Sequence, residues 1–354
     1  MPKLKTEVKL LPLLHTYQSE MKRGKHLQKN GKRLRPSSIE NYANLHINLM
    51  KFCNKENFLL RACPLRNASK SVIEREQKYW KHFYLKFTDF LYQDRNNYDN
   101  HVGRTIKLLR CFFSYLNSEK GLNIGSFHAK FYAPSEEVEI LALTPERLNI
   151  LIHTKDKDHL LSETLKQTKD IFIFGCTVAL RFSDLMLLKK DNIELVGDRT
   201  YLKVRSKKTQ TYTRVKLPDY VVSIIDKYSG KYSKRIIPHF NLNTMNLNIK
   251  LLLETYGFIE EFPKYRQKRG VPILIYKNSD QKAMYRFCDL ATTHTMRRTA
   301  ITTMLCLGMS EQVVRKISGH SANSKEFYRY VAFAQTYIDK EINMFHDKLQ
   351  DLNK

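Results

Sequence analysis

Acidic residues are in short supply. The 354-residue chain sets 35 aspartates and glutamates against 61 lysines and arginines, a formal net charge of +26. Such an excess draws polyanions, with nucleic acid as the first candidate, although charge by itself does not choose among polyanions. Cysteine is sparse and scattered: Cys53, Cys63, Cys111, Cys176, Cys288 and Cys306 form no C-x-x-C pair. This excludes a zinc ribbon and a disulfide framework, and the apolar neighbours of most of these thiols lead us to expect buried cysteines in a reducing compartment. Long apolar runs are missing as well. The most apolar stretch, Ile171 to Leu180, lies between Asp170 and Arg181 and is too short to span a bilayer. "MPKLKTEVKLLPLL" lacks the apolar core and cleavage site of a signal peptide. A soluble intracellular protein without membrane contact is therefore expected. No internal repeat, low-complexity tract, carboxylate–histidine metal cluster or aromatic RNA-binding motif is visible.

With 42% hydrophobic residues the chain can build real cores, and its length favours two of them. Met21 to Arg35 reads as a basic, glycine-punctuated loop, a phosphate-contacting arm more than a merely solvated face. Ser37 or Ser38 can then cap a helix with Ile39, Tyr42, Leu45, Leu49 and Phe52 on one stripe. Helical patterns follow over Val72 to Leu91 and over about Thr105 to Leu116, with Gly121 beyond the last. Residues 1–121 thus read as an all-helical domain with a basic arm over 1–36, and 122–141 as an aperiodic linker. The second domain, 142–354, opens on "LTPERLNIL", where Thr144 is a cap and Pro145 the first helical residue. It is mainly helical. Leu202 and Val204 alternate before a turn and Val215 and Leu217 after it, which predicts a hairpin with Lys207 and Lys208 at its tip. "VPILIY", Val271 to Tyr276, can hold a further strand.

Four segments of this domain carry cationic or proton-transferring groups. "ALRFSDL" sets Arg181 after the apolar run, with Asp184 behind it. Alone, such an arginine is more often a core-flanking salt bridge than a phosphate clamp. The lysines of the hairpin tip are, alone, a solvated turn. "HTMR" puts His294 and Arg297 three residues apart, on one face of a helix, with Arg298 turned elsewhere. "ISGH" ends a helix at Gly319 and leaves His320 beyond it, followed by Tyr328 and Tyr330.

In this order the segments resemble the tyrosine recombinase (phage integrase) family, whose catalytic domain carries an arginine box, a hairpin lysine, H-x-x-R, G-H and a nucleophilic tyrosine. Asp184 stands where the family more often has glutamate. The resemblance covers Thr144 to Val331, and more loosely the N-terminal bundle. It implies a mainly α fold with a small β-sheet: an N-terminal helical core-binding (SAM-like) domain and an α+β catalytic domain. It also implies a site-specific recombinase that cuts and rejoins DNA through a 3′-phosphotyrosine, integrating or excising a mobile element without metal, ATP or other cofactor. Within the family, the "KKT" hairpin and "SGHSANSKEFYRYV" look most like integrases of Bacteroides-type elements.

The chemistry accounts for the residue types. Transesterification builds negative charge on the non-bridging phosphate oxygens, which Arg181 and Arg297 can clamp while staying charged. His294 and His320 can hydrogen-bond the phosphate and assist proton movement. The family gives protonation of the leaving 5′-oxygen to the hairpin lysine, here Lys208, with Lys207 second. The nucleophile is Tyr330 by the match of "F-Y-R-Y-V" to the family's ending, with Tyr328 as the competitor, since their distances from His320 straddle the usual interval. The implied partners are double-stranded DNA with specific sites, further copies of the chain in a tetramer, and a DNA-bending accessory protein, in a bacterial cytoplasm at the nucleoid. The stripe Ile338, Ile342, Phe345, Leu349 and Leu352 can pack on its own domain, but is expected to dock on a neighbouring protomer. The competing functions are a type IB-like topoisomerase and a catalytically silent DNA-binding regulator.

Overall fold

The computed structural model describes residues 7–28, 30–205 and 212–351. The chain begins with β1 (Val8–Lys9), α1 (Leu10–Lys22), α2 (Pro36–Glu56), β2 (Arg61–Ala62), α3 (Lys70–Gln93) and α4 (Asp99–Ser118). Next come α5 (Pro145–His153), α6 (Glu163–Val178), α7 (Phe182–Leu185), β3 (Ile193–Val196), β4 (Arg199–Arg205) and β5 (Tyr212–Lys216). The remainder is α8 (Asp219–Lys227), α9 (Leu242–Thr255), β6 (Lys264–Lys268), β7 (Val271–Ile275), α10 (Phe287–Leu290), α11 (Thr293–Cys306), α12 (Glu311–Ser318) and α13 (Lys325–Asp351). The fold is mainly helical with small antiparallel sheets, as the sequence implied. Two compact units form: Met1–Val138 with Tyr265–Leu274, and Glu139–Lys264 with Ile275–Lys354.

The first unit is a helical bundle around an aromatic core. Tyr42, Leu45, Leu49 and Phe52 of α2 are buried on one stripe, and Trp80 stacks on Phe127 with ring centroids 4.5 Å apart. Helix α2 starts at Pro36 rather than after Ser37 or Ser38. A proline needs no donor at the first helical position, so the ring itself opens the helix and no side chain caps it. Helix α1 was not read from the sequence. Leu10, Leu14, Tyr17 and Met21 are buried at helical spacing, and Pro12 sits within the first turn, where its missing N–H costs nothing. The same helix continues into the segment read as a basic loop.

One piece of this unit comes from far along the chain. β6 and β7 pair across Arg269 and Gly270, whose φ of +55° and +78° make the mirror-image turn that hairpins favour. Two buried carboxylates hold the hairpin. Glu136 accepts from Arg266 Nε (2.9 Å) and Nη2 (2.6 Å) and from the backbone N–H of Gln267. Asp99 accepts from Tyr92 Oη (2.6 Å) and from the backbone N–H groups of Arg269 (2.7 Å) and Gly270 (2.8 Å). A buried carboxylate demands such donors, so the hairpin at 265–274 belongs with the first unit although its sequence neighbours do not.

In the second unit α6 runs through the core. Of Ile171 to Leu180 only Thr177 is not fully buried, which explains an apolar run without a polar face. Thr144 caps α5 by accepting from the Arg147 N–H (3.4 Å). β3, β4 and β5 form one antiparallel sheet in that order, with Leu202 opposite Val215 and Val204 opposite Thr213. The hairpin is as expected; β3 is an added strand. The tip, with Lys207 and Lys208, lies outside the described residues. A smaller apolar cluster joins Ala179, Ala300, Ile301, Val314, Phe327 and Tyr330, so α11, α12 and α13 pack around the end of α6. Of the C-terminal stripe, Ile338 is half-buried and Ile342 exposed; the side chains of Phe345, Leu349 and Leu352 lie outside the described residues. The cysteines are free, three are buried, and Cys111 is exposed on α4, contrary to the expected burial. Among the described residues no helix is long and apolar enough to cross a membrane.

Candidate active site

Arg181, His294, Arg297 and His320 each stand where a local backbone device sets them. Helix α6 ends in Ala179, in the left-handed region at φ 55°, and the chain turns out through Arg181 into α7 with Asp184 buried behind it. Helix α11 opens at Thr292, whose Oγ1 accepts from the His294 N–H (3.3 Å), while the Thr292 N–H donates to Thr295 Oγ1 (3.0 Å). That cap places His294 and Arg297 in the first turns, one above the other. Helix α12 ends at Gly319 with φ +67°, and the His320 N–H donates back to the Arg315 carbonyl (3.1 Å). The imidazole is thereby aimed back across the helix end.

Arg297 is the centre. Only 3% of it is exposed, and its guanidinium donates to the carbonyl oxygens of Ala179 (Nη1, 2.6 Å) and Ser318 (Nη2, 2.6 Å). One fork thus ties the end of α6 to the end of α12. Nη2 also lies 3.4 Å from His320 Nε2, and His320 Nδ1 lies 2.8 Å from Ser318 Oγ. Ser318 Oγ donates to the Val314 carbonyl (2.7 Å), so it is left to accept from Nδ1–H. The tautomer this chain of bonds requires is neutral imidazole, protonated on Nδ1, with its Nε2 lone pair toward the cations.

The electrostatics agree. His320 is pushed down to about 3, first by desolvation, then by Arg297, Arg181, Arg315 and His294. His294, more exposed, moves the same way through desolvation and then Arg298 and Arg297. Arg297 is lowered to about 10 by burial and Arg181, and remains a cation at neutral pH. A pocket that keeps its histidines neutral beside several guanidiniums favours a bound anion. A phosphate group has the charge and acceptor oxygens that such a pocket suits.

A depressed histidine pKa is also a stability term. Above about 6.5, the ordinary imidazole value, both folded and unfolded states leave His320 neutral. As pH falls from there toward about 3 the unfolded chain binds a proton that the folded one refuses, so stability is lost across that window. Thermal unfolding between pH 7 and pH 5 is expected to show a falling Tm, with a shallower slope in His320→Gln.

The two tyrosines separate cleanly. Tyr330 is 1% exposed, with its ring centroid 5.9 Å from that of His320. Tyr328 is 55% exposed and lies under the Arg315 guanidinium, 4.7 Å from its ring centroid. Burial raises the Tyr330 pKa, Glu326 adds to the rise, and Arg298 and Arg297 oppose it. Arg181, His294, Arg297, His320 and Tyr330 therefore converge, and Tyr328 does not. Two neighbours escaped the sequence reading. Arg298, turned away from the His294–Arg297 face, meets Tyr330 because α13 packs on the adjoining face of α11. Glu326 lies one helical turn before Tyr330 and 3.4 Å from its Oη. Only the i, i+4 spacing could have found it. Among the described residues no group of three or more His, Cys, Asp and Glu side chains could hold a metal ion.

Solved structures of DNA-bound recombinases share this architecture. XerH bound to palindromic difH, a post-cleavage complex, is 11% identical with a TM-score of 0.59, covering 95% of this chain and 85% of that one. A lambda integrase dimer on a COC′ core site is 14% identical with a TM-score of 0.61, covering 92% and 78%. The Tn1549 transposon integrase (aa 82–397) with circular intermediate DNA is 12% identical with a TM-score of 0.54, covering 93% and 99%. At such identities the likeness establishes the fold, that of the tyrosine recombinases. Residues 142–336 match the phage integrase family model, more than half of the chain, and the protein belongs to that family. No curated protein matches significantly.

Proposed function

We propose that this member of the phage integrase family is a site-specific DNA recombinase whose nucleophile is Tyr330. The observation that carries the assignment is the buried Tyr330 ring beside His320 and Arg297, with Tyr328 outside. Arg181 and Arg297 clamp the non-bridging oxygens of the scissile phosphate, His294 adds a hydrogen bond to it, and His320 adds one once the bound phosphate's charge offsets the guanidiniums and Nε2 takes a proton. Tyr330 Oη attacks phosphorus, the bond to the 5′-oxygen breaks, and Lys208 protonates that oxygen. The 3′-phosphotyrosine conserves the bond energy until another strand's 5′-hydroxyl reverses the step, so neither metal nor ATP is needed.

The domain assignment goes with this reading, amended by the fold: 1–121 binds the core site, with α1 packed in its core and not in a basic arm, 122–138 and 265–274 fold with that unit, and the rest of 142–354 is catalytic. A solved lambda integrase is a tetramer on a Holliday junction. By extension four copies of this chain assemble on DNA, with α13 docking on a neighbour. The exposed Ile342 and Met344 support that role for the helix. We further assign the chain to the integrases of Bacteroides-type elements, acting at the bacterial nucleoid with a DNA-bending accessory protein. The test of the activity is a nicked suicide substrate carrying the element's own end. A covalent adduct whose modified peptide contains Tyr330 supports recombination. Relaxation of plasmids lacking any specific site would point to a topoisomerase instead.

A further inference from the structure

We propose that Glu326 is the general base that accepts the Tyr330 proton during strand cleavage. The inference deepens the reading above and rests on Tyr330 as nucleophile. The phenol needs a proton acceptor within hydrogen-bond reach, and Tyr330 Oη donates to Glu326 Oε1 at 3.4 Å. A catalytic hydrogen bond of this length in a DNA-free enzyme tightens once substrate is bound. The i, i+4 spacing on α13 lays the carboxylate over the phenol, and Glu326 is exposed while Tyr330 is buried. A proton handed to Glu326 therefore leaves the phosphate pocket for solvent.

His320 is poorly suited to this task. Its Nδ1 is held by Ser318 Oγ, its Nε2 faces Arg297, and the surrounding guanidiniums oppose a second proton on the ring. The charged and titratable groups facing Glu326 differ. Arg329 Nη1 lies 3.5 Å away on the same helix, and His294 approaches from α11. Arg298 completes the arrangement. Its charge opposes the rise in the Tyr330 pKa, and its Nε is buried without a partner among the described residues. The guanidinium steadies the oxygen as it becomes anionic while the carboxylate removes its proton. In the balanced step the Oη–H proton passes to Glu326, Oη bonds to phosphorus, and the P–O5′ bond breaks with its electron pair on the 5′-oxygen. On religation Glu326 returns the proton to Oη.

The test is single-turnover cleavage of a suicide substrate at saturating full-length protein, with a 5′-bridging oxygen or a 5′-bridging sulfur at the scissile phosphate. Sulfur leaves without a proton, so the second substrate isolates the nucleophile's half of the reaction. Glu326→Gln is expected to slow cleavage of both substrates by roughly 10²- to 10⁴-fold near neutral pH, with a rate that climbs toward about pH 9 as hydroxide takes over. Glu326→Asp should fall between. Wild-type rates in Glu326→Gln overturn the proposal. So does a loss on the oxygen substrate alone, which would put Glu326 on the leaving-group side. So does a loss with an unchanged pH profile, which would leave only positioning. Adduct formation by Tyr330→Phe would instead overturn the nucleophile assignment itself.

Discussion

Tyr330→Phe eliminates the covalent protein–DNA adduct, and Tyr328→Phe forms it. That is the largest effect expected of any single substitution here. Removing a nucleophile's oxygen deletes the step itself, and comparable deletions elsewhere cost several orders of magnitude in rate. The Tyr330 hydroxyl lies in the pocket with Arg297, Arg298 and His320, whereas the Tyr328 ring stacks under Arg315 in solvent. Replacing Tyr330 by phenylalanine keeps the buried ring in the cluster with Phe327 and Val314, so the variant should fold and bind DNA as before. Denaturing electrophoresis of a suicide-substrate reaction reads the result. An adduct from Tyr330→Phe but none from Tyr328→Phe would reverse the assignment.

Arg297→Ala is expected to cost both stability and cleavage. The guanidinium is the donor to two buried carbonyl oxygens, those of Ala179 and Ser318. Stranding each buried acceptor costs about 1–3 kcal/mol, so the variant should lose about 2–6 kcal/mol. Cleavage should fall at least about 10²–10³-fold, the usual penalty for deleting one preorganised donor to a transition-state oxyanion. Arg297→Lys keeps the charge without the fork and should recover only part of either loss. Calorimetry and single-turnover cleavage measure the two quantities. Because Arg297 is the first charge holding His320 down, the His320 imidazole should titrate higher in Arg297→Ala, as NMR can follow. An unchanged titration would mean that desolvation alone sets it.

The chemistry-bearing segments were legible because each is short and contiguous. Helical spacing was enough to put His294 and Arg297 on one face of α11, and glycine's tolerance of positive φ was enough to end α12 just before His320. The stripe on α2 and the alternation of the β4–β5 hairpin needed no more than a period. Helix α1 was missed because its apolar residues share a segment with Pro12 and lead straight into a basic run. Local pattern could not tell that first-turn proline from a helix breaker.

What the sequence determined by itself was the candidate groups, their order, and much of the secondary structure that carries them, since all of these depend on interactions within a few residues. Tertiary structure decided everything that depends on proximity between distant segments. It placed 265–274 with the first unit, where the hairpin's backbone N–H groups and Arg266 donate to the buried Asp99 and Glu136. It made Arg297 a fork across the ends of α6 and α12. It brought Arg298 to the phenol from a face that spacing alone turns away. And it separated Tyr330 from Tyr328: two residues along a helix are a rotation of about 200°, and only the packing of α13 on α11 determines which of two such faces is buried.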